Sequence, residues 1–271
     1  MSNVKYSLVG MELVRKLNEA GLQLFTAQEA WKFALILEIS PGYFHQVLYH
    51  LAGAGWIVHL RKGLYALSAS VPGTTSAHEF AIAMKLVQPA AISHWSALSY
   101  HGFTEQIPRQ VFVLTPSSFV PRTRGRKEKG VLIGSTAYQF VQIQPKRFFG
   151  TTDIWINNFR IKITDSERTF LDALMSPQYC GGFSEVFHAF ESHLSKLNRA
   201  RLIQYALKLD VATSKRLGWV LEKLGVPSPE LKPLQQIPIK GYRLLDFHGK
   251  HLGPYDSRWM IQANLPGKIS L

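Results

Sequence analysis

Three consecutive segments with helical periodicity, followed by two short strand-like runs, occupy residues 10–70 and constrain the fold more than any other feature. The second and third segments both place apolar side chains at i, i+3, i+4 and i+7, which puts them on one helix face. These side chains are Ala30, Phe33, Ala34 and Leu37, then Phe44, Val47, Leu48 and Leu51. The order predicts a small unit of three helices and a β-hairpin.

Helix-start signals support this assignment. Thr26 precedes the second segment, with Glu29 three residues later, and Ser40-Pro41 precedes the third. Threonine and serine are favoured N-caps, and proline is tolerated at the first helical position. We therefore expect the second helix to begin after Thr26 and the third after Ser40.

The hairpin is predicted from the runs "WIVHL" and "LYAL", which are rich in β-forming residues and surround a short turn. Arg61 and Lys62 lie at its tip, and Gly63 gives the turn the backbone freedom of a glycine. The hairpin is either an ordinary surface feature or the wing of a winged helix-turn-helix, whose two cations would reach DNA phosphates or a neighbouring minor groove.

The third segment has a polar, aromatic and acid-free face opposite its apolar stripe. Its members are Gly42, Tyr43, His45, Gln46, Tyr49 and His50. Glutamine makes bidentate contacts to adenine, and a helix in the major groove reads bases mainly with its N-terminal residues. Ser40 and the free amides of the first turn are suited to a phosphate. We interpret this helix as a DNA-recognition helix; a small helical domain with a solvated hairpin is the alternative.

The charge of the chain favours a polyanionic partner. Lys plus Arg exceeds Asp plus Glu by 31 − 18 = 13, as expected of a protein that meets nucleic acid. Residues 1–70 contribute only 6 − 4 = +2. The densest basic run offers five candidate phosphate contacts, and a solvated loop is its other interpretation: Arg122, Arg124, Arg126, Lys127 and Lys129.

Cellular location and redox state follow from two absences in the sequence. Cys180 is the one cysteine, so no disulfide framework or cysteine-based zinc site is expected. No signal-peptide pattern and no apolar run of about 18 residues is present. We expect a cytoplasmic protein without a membrane partner.

The remainder of the chain predicts a second, larger domain, which makes the fold class α+β. Residues 1–70 form the winged helix-turn-helix domain in this division, residues 71–76 a linker, and residues 77–271 a mixed α+β domain with a helical C-terminal part. Thr164 and Glu167 have capping-box spacing before a helical pattern. The tail from Pro227 is predicted to be Pro-rich and irregular, with one strand-like run, "GYRLLDF".

The second domain offers no catalytic constellation. It has no phosphate-binding glycine loop and no hydrolase or metalloprotease motif. Asp165, Glu167 and Asp172 surround one helix start, where capping is the simpler role. Histidines are scattered, and we expect no metal, no cofactor and no enzymatic activity.

Several segments together resemble one family. "RKGLYAL", "ISHWSALSYHGFTEQIPRQVFVLT", "ITDSERTFLDALMSPQYCGGFSEV" and "SKRLGWVLEKLG" occur in succession, and this succession resembles the AbiEi antitoxins of type IV toxin–antitoxin and abortive-infection systems of phage defence. The resemblance spans residues 10–265. It implies a wing at Leu60–Leu67 and a recognition helix at Pro41–Ala54 that binds inverted repeats in the protein's own promoter.

The resemblance also implies that residues 77–271 form an antitoxin domain. That domain counteracts a nucleotidyltransferase-like toxin without a stable complex. Two other functions remain open from the residues themselves: a nucleic-acid-processing enzyme targeted by the winged helix, and a protein-interaction module that carries one.

Overall fold

The computed structural model describes residues 2–69, 71–75, 77–121 and 130–265, with side chains from residue 8 onward. Within these residues the chain forms ten α-helices and three β-sheets, so the predicted α+β fold class is confirmed. No helix in the described part of the chain combines the length and apolarity needed to span a membrane.

An N-terminal unit, residues 2–69, contains three helices and a three-stranded sheet of order β1-β3-β2. Its elements are α1 Ser2–Glu19, β1 Leu24–Thr26, α2 Ala27–Ile36, α3 Pro41–Gly53, β2 Ile57–Arg61 and β3 Leu64–Leu67. The three helices and the hairpin occur in the predicted order. The sequence missed β1, because three residues are too few to show a period of two.

Thr26 and Glu29 form the N-terminal cap of α2, as predicted. The Thr26 hydroxyl accepts from the Glu29 amide at 3.1 Å, and the Thr26 amide donates to the Glu29 carboxylate at 2.7 Å. This reciprocal capping box satisfies two amides at the helix end. It fixes where α2 begins and therefore where α3 follows.

The core of the N-terminal unit lies between α1, α3 and the sheet. All four apolar side chains predicted for α3 are buried, whereas Phe33 and Leu37 of α2 are only half-buried. The small residues Ala30 and Ala34 form the buried part of α2. Trp31 packs edge-on against Phe44 with ring centroids 5.1 Å apart, which joins α2 to α3.

The segment predicted to be a linker folds back on the hairpin. Gly55 accepts hydrogen bonds from the Ser68 hydroxyl at 2.5 Å and from the Gly73 amide at 3.0 Å. The Ala69 amide donates to the Thr74 carbonyl at 2.7 Å. Through Ser68 and Gly73, these bonds hold the described part of the segment against Gly55, just before β2.

Helix α4, Glu79–Leu86, joins the N-terminal unit to the rest of the chain. Its buried side chains share one hydrophobic cluster with Leu24, Leu64 and Ala66 of the N-terminal sheet. Lys85 also donates to Glu29 at 2.7 Å. The two units therefore pack together through α4.

A six-stranded mixed sheet of order β6-β7-β5-β4-β9-β8 is the centre of the C-terminal unit, residues 77–265. Its strands are β4 Ala91–Ile92, β5 Gln110–Thr115, β6 Gly130–Ile133, β7 Thr136–Gln142, β8 Thr151–Ile156 and β9 Phe159–Thr164. Pairs β5–β7 and β4–β9 are parallel, and the other neighbours are antiparallel. The predicted hairpin turn at Asn157-Asn158 joins β8 to β9, with Asn157 at φ 53°.

Six helices and a small sheet complete the C-terminal unit. The helices are α5 His94–Tyr100, α6 Ser166–Met175, α7 Phe183–His193, α8 Arg199–Leu209, α9 Val211–Lys223 and α10 Ser228–Gln235. The small sheet, of order β10-β12-β11, contains β10 Arg243–Leu244, β11 Tyr255–Asp256 and β12 Ile261–Gln262. The prediction of an irregular tail was therefore wrong for α10, β11 and β12, whereas the strand-like run "GYRLLDF" contains β10. The buried ring of Trp259 anchors that tail against α9.

The capping box predicted from Thr164 and Glu167 was also wrong. Asp165 is the N-cap of α6 and accepts from the Arg168 amide at 2.8 Å. Thr164 instead completes β9, where it pairs with β8. Glu167 is buried and accepts from the amide of Asn198 at 2.8 Å, so it holds α8 against α6.

Candidate nucleic-acid interface

Helix α3 presents most of the predicted recognition face to solvent. Gly42, His45, Gln46, Tyr49 and His50 are exposed, and Tyr49 retains 77% of its accessible surface. The face opposite is fixed by burial of the apolar stripe, so α3 cannot rotate without exposing its core side. The result is a polar and aromatic helix surface without a carboxylate.

Tyr43 departs from the prediction. Its side chain is half-buried and packs against the hydrophobic cluster of the N-terminal unit. Its ring therefore stabilises the first turn of α3 more than it contributes to the exposed face.

The N-terminus of α3 has amides without intrahelical partners, as every helix does. Ser40 is the N-cap residue, Pro41 occupies the first turn, and the Ser40 side chain makes no capping hydrogen bond. Ser40 is exposed. Pro41 has no N–H, and the Tyr43 amide donates to the Ser40 carbonyl at 3.0 Å. The Ser40 hydroxyl and the Gly42 amide are therefore the donors that an anion would meet at this helix end.

The hairpin tip is a two-residue turn. Arg61 pairs with Leu64 across the strands, which leaves Lys62 and Gly63 as the turn residues. Gly63 has φ 74°, a left-handed conformation that favours glycine. Its carbonyl accepts from the Ala27 amide at 2.9 Å, so the tip is fixed beside the start of α2.

Arg61 and Lys62 differ in exposure. Lys62 is exposed, whereas Arg61 is half-buried at the end of β2, next to a β-bulge after His59. Neither forms an ion pair with a described residue. Both cations are therefore available to an external phosphate.

Three of the four acids of the N-terminal unit, whose formal charge is +2, form ion pairs. Glu12 and Glu19 both pair with Arg15, and Glu29 pairs with Lys85 of the C-terminal unit at 2.7 Å. Burial raises the pKa of Glu29, but hydrogen bonds from Lys85 and Thr26 outweigh it and lower that pKa below its ordinary value. These three acids lie on α1 and α2, so α3 and the hairpin carry no carboxylate.

Lys32 is a further cation of the N-terminal unit, and it was not among the DNA contacts predicted from the sequence. It is exposed on α2 and forms no ion pair with a described residue. Its position outside the stripe of Ala30 and Ala34 was the available signal, because a residue off the apolar face of a helix points to solvent. The predicted basic run, Arg122, Arg124, Arg126, Lys127 and Lys129, lies outside the described residues.

Two of the acids considered as catalytic candidates in the C-terminal unit form hydrogen bonds with neighbouring side chains. Asp172 is buried and accepts from Nε of Arg168 at 2.8 Å, and Asp165 accepts from the Tyr205 hydroxyl at 3.0 Å. Burial raises the pKa of the Cys180 thiol well above its usual range, which agrees with an inert buried residue. Among the described residues no three His, Cys, Asp or Glu side chains are grouped as metal ligands.

Comparison with protein-family models and with curated proteins gives no match. Among solved structures, the chain is similar to the Rv2827c protein from Mycobacterium tuberculosis, with a TM-score of 0.67 and 11% sequence identity. The similarity covers 94% of this chain and 90% of that one. At this identity it establishes a shared fold over nearly the whole length of both proteins.

Proposed function

We propose that this protein is a transcriptional autorepressor that binds double-stranded DNA in its own promoter through a winged helix formed by the N-terminal unit. The exposed, acid-free face of α3 is the observation that carries the proposal. The helix–strand–helix–helix–hairpin order of the unit supports it, as do the hairpin-tip cations, which pair with no acid in the described part of the chain.

In this proposal α3 lies in the major groove. Gln46 reads an adenine edge, and His45, Tyr49 and His50 donate to base edges or phosphates. The Ser40 hydroxyl and the Gly42 amide hold a backbone phosphate. Lys62 and Arg61 contact the phosphates beside the adjacent minor groove. Binding to an inverted repeat places two copies of this arrangement on one site.

The proposed antitoxin function rests on the family resemblance and on the size of the C-terminal unit. That unit, in the cytoplasm, counteracts a nucleotidyltransferase-like toxin without forming a stable complex with it. Repression by the N-terminal unit then adjusts how much of the antitoxin and its toxin is made.

A titration of the protein with the duplex upstream of its gene tests the DNA-binding proposal. Gln46→Ala should lower discrimination against a scrambled duplex by about 1–3 kcal/mol. Gln204→Ala, at an exposed glutamine on α8, is the matched control and should leave it unchanged. Equal discrimination by Gln46→Ala and wild type contradicts the assignment of Gln46 to base reading.

The salt dependence of the same titration tests the hairpin. Lys62→Ala should weaken binding to all duplexes alike and reduce the salt slope by about one unit. Lys196→Ala removes an exposed charge far along the chain and should have no such effect. An unchanged slope for Lys62→Ala removes the hairpin tip from the interface.

Co-expression tests the antitoxin proposal. The gene product adjacent to this one should arrest growth alone. The full protein should restore growth even with Gln46→Ala, which weakens repression. Failure of the full protein to restore growth would contradict the antitoxin function and leave the repressor proposal standing.

A further inference from the structure

The last part of the C-terminal unit exposes aromatic side chains to solvent. Tyr242 retains 41% of its accessible surface, Tyr255 retains 63%, and Phe247, which lies between them in the chain, retains 66%. The rings of Tyr242 and Tyr255 are in edge-to-face contact, with centroids 4.8 Å apart. Tyr242 precedes β10 and Tyr255 begins β11, so the pair belongs to the small sheet. A cluster of large exposed side chains, unlike a single one, marks an interaction surface.

Three cations without acidic partners accompany the tyrosine pair. Lys240, Arg243 and Lys250 are exposed, and none forms an ion pair with a described residue. The Arg243 guanidinium lies beside the backbone of the first tyrosine, because its Nη1 donates to the Tyr242 carbonyl at 3.3 Å. That bond uses one of the guanidinium donors, and the others remain available to an external acceptor.

The carboxylates of this segment do not oppose its cations. Asp246 and Asp256 are the acids of residues 236–256, and both are half-buried. Oδ1 of Asp246 accepts from the His248 amide at 3.0 Å, and Oδ1 of Asp256 accepts from the Trp259 amide at 3.1 Å. No exposed residue from 236 to 256, all of which the structure describes, is acidic. The surface is therefore complementary in charge to a polyanion.

The loop between the two tyrosines is held by one buried side chain. Asn264 is 3% exposed; its Oδ1 accepts from the Asp246 amide at 2.9 Å, and its Nδ2 donates to the Asp246 carbonyl at 2.7 Å. Gly249 and Gly253 approach the same asparagine, because a Cβ built on them would lie 2.7 Å from its Nδ2 and 3.2 Å from its Cα. The exposed side chains therefore project from a fixed backbone, which lowers the entropy cost of binding a partner.

We propose that the tyrosine patch, formed by Tyr242, Tyr255, Lys240, Arg243 and Lys250, binds single-stranded RNA. Unpaired bases stack on exposed aromatic rings, whereas the bases of a duplex are already stacked on one another. The three cations contact the backbone phosphates. Neither tyrosine hydroxyl forms a hydrogen bond with a described residue, so both are available to ribose 2′-hydroxyls, which DNA lacks. This inference does not depend on DNA binding by the N-terminal unit.

Fluorescence anisotropy of a labelled oligouridylate, titrated with the full chain, tests the proposal. The oligouridylate should bind about fivefold or more tighter than an abasic oligoribonucleotide of equal length, because only the former has bases to stack. It should also bind about twofold or more tighter than oligodeoxyuridylate, the effect of one hydrogen bond to a 2′-hydroxyl. Equal binding of the abasic strand would reduce the surface to charge alone and overturn the proposal. Equal binding of oligodeoxyuridylate would overturn the assignment to RNA.

Variants at the two tyrosines locate the binding. Tyr255→Ala should weaken oligouridylate binding by about fivefold or more, and its exposed position leaves the core intact. The double variant Tyr242→Phe and Tyr255→Phe keeps both rings, so it should retain affinity for oligodeoxyuridylate and lose the preference for RNA. Tyr100→Ala, at an exposed tyrosine of α5, is the matched control and should bind as the wild type does. Unchanged oligouridylate binding by Tyr255→Ala overturns the assignment to this surface.

The cations have a separate test in the salt dependence of the same titration. Arg243→Gln should lower the salt slope for oligouridylate by about 0.7 units, the value for one phosphate contact on a single strand. Lys196→Gln removes an exposed charge outside the patch and should leave the slope unchanged. An unchanged slope for Arg243→Gln removes this cation from the interface and overturns the proposed phosphate contact.

The variants also distinguish this proposal from the repressor proposal. Gln46→Ala should leave oligouridylate binding unchanged, and Tyr255→Ala should leave discrimination between the upstream and scrambled duplexes unchanged. Loss of oligouridylate binding in Gln46→Ala would place the RNA on α3 and overturn the tyrosine patch as its site. Absence of oligouridylate binding by the wild type would leave this surface to a protein partner and overturn the RNA proposal, without bearing on the duplex titration.

Discussion

At Gly218, in the interior of α9, side-chain packing and helix propensity predict opposite effects for a substitution by alanine. A Cβ placed on this residue would overlap three ring carbons of Trp259, namely Cζ3, Cε3 and Cη2. The Trp259 side chain is 0% exposed, and its Nε1 donates to Glu222 at 2.6 Å. Gly218→Ala therefore cannot be accommodated unless the indole ring leaves its site.

The expected loss follows from two opposing contributions. Alanine gains about 1 kcal/mol over glycine in a helix interior. Displacing a buried tryptophan costs about 3–5 kcal/mol, by comparison with truncation of large aromatic side chains in cores. We therefore expect Gly218→Ala to lower the free energy of unfolding by about 2–4 kcal/mol.

Urea denaturation followed by far-ultraviolet circular dichroism measures this change. Gly53→Ala is the matched control, because Gly53 is the last residue of α3 and a Cβ there meets no atom within 4 Å. It should raise stability by up to about 1 kcal/mol. A stabilised Gly218→Ala protein would refute the packing of Trp259 against α9.

Three further predictions follow from the caps, the contact between units and the recognition helix. Asp165→Ala should lower the free energy of unfolding by about 1–2 kcal/mol, because it leaves the Arg168 amide without its cap; an unchanged urea midpoint would contradict Asp165 as the N-cap. The pKa of Glu29 is lowered, so its pair with Lys85 stabilises the fold fully above the ordinary pKa of 4.5. This stabilisation is lost as the pH falls through the lower pKa of the folded protein. Glu29→Gln should therefore make thermal stability decline less in acid, and an unchanged pH profile would contradict the pair. Gly42→Ala should preserve or slightly raise stability, because a Cβ there meets no atom within 4 Å, yet weaken DNA binding by placing a methyl group on the exposed face; undiminished affinity would move the interface away from the first turn of α3.

The sequence predicted elements with strong periodicity and missed those without it. The stripe of α3 is buried as expected, since four apolar residues at helical spacing leave one orientation for the helix. Strands β1 and β4 contain three and two residues, too few for alternation to be visible. Their pairing is determined by partners distant in the chain.

Local signals also misled where two interpretations competed. Thr164 and Glu167 have capping-box spacing, but Thr164 pairs with β8 as the last residue of β9. Asp165, one residue later, is the N-cap of the helix. Helix α10 forms although Pro233 lies in its interior, because Leu231 and Leu234 are fully buried against the C-terminal core. Tertiary packing decided both cases.

The recognition face of α3 and the cavity lined by His94, Arg147 and Asp172 differ in how visible they are in the sequence. The recognition face is local, since its residues follow one helix and periodicity alone exposes them. The cavity beside Asp172 was not visible, because His94, Arg147 and Asp172 come from three separate segments that the sheet brings together. Spacing along the chain carries no signal for such a site.

One measurement tests the central claim most directly: fluorescence anisotropy of a labelled duplex from upstream of the gene, titrated with the wild-type protein against an unlabelled scrambled competitor at two salt concentrations. The account predicts an affinity for the upstream duplex at least a thousandfold higher than for the scrambled one. Specific DNA-binding proteins show ratios of about 10³–10⁷. The affinity should also fall as the salt concentration rises. Binding that the scrambled duplex displaces as readily as the upstream one would contradict the account.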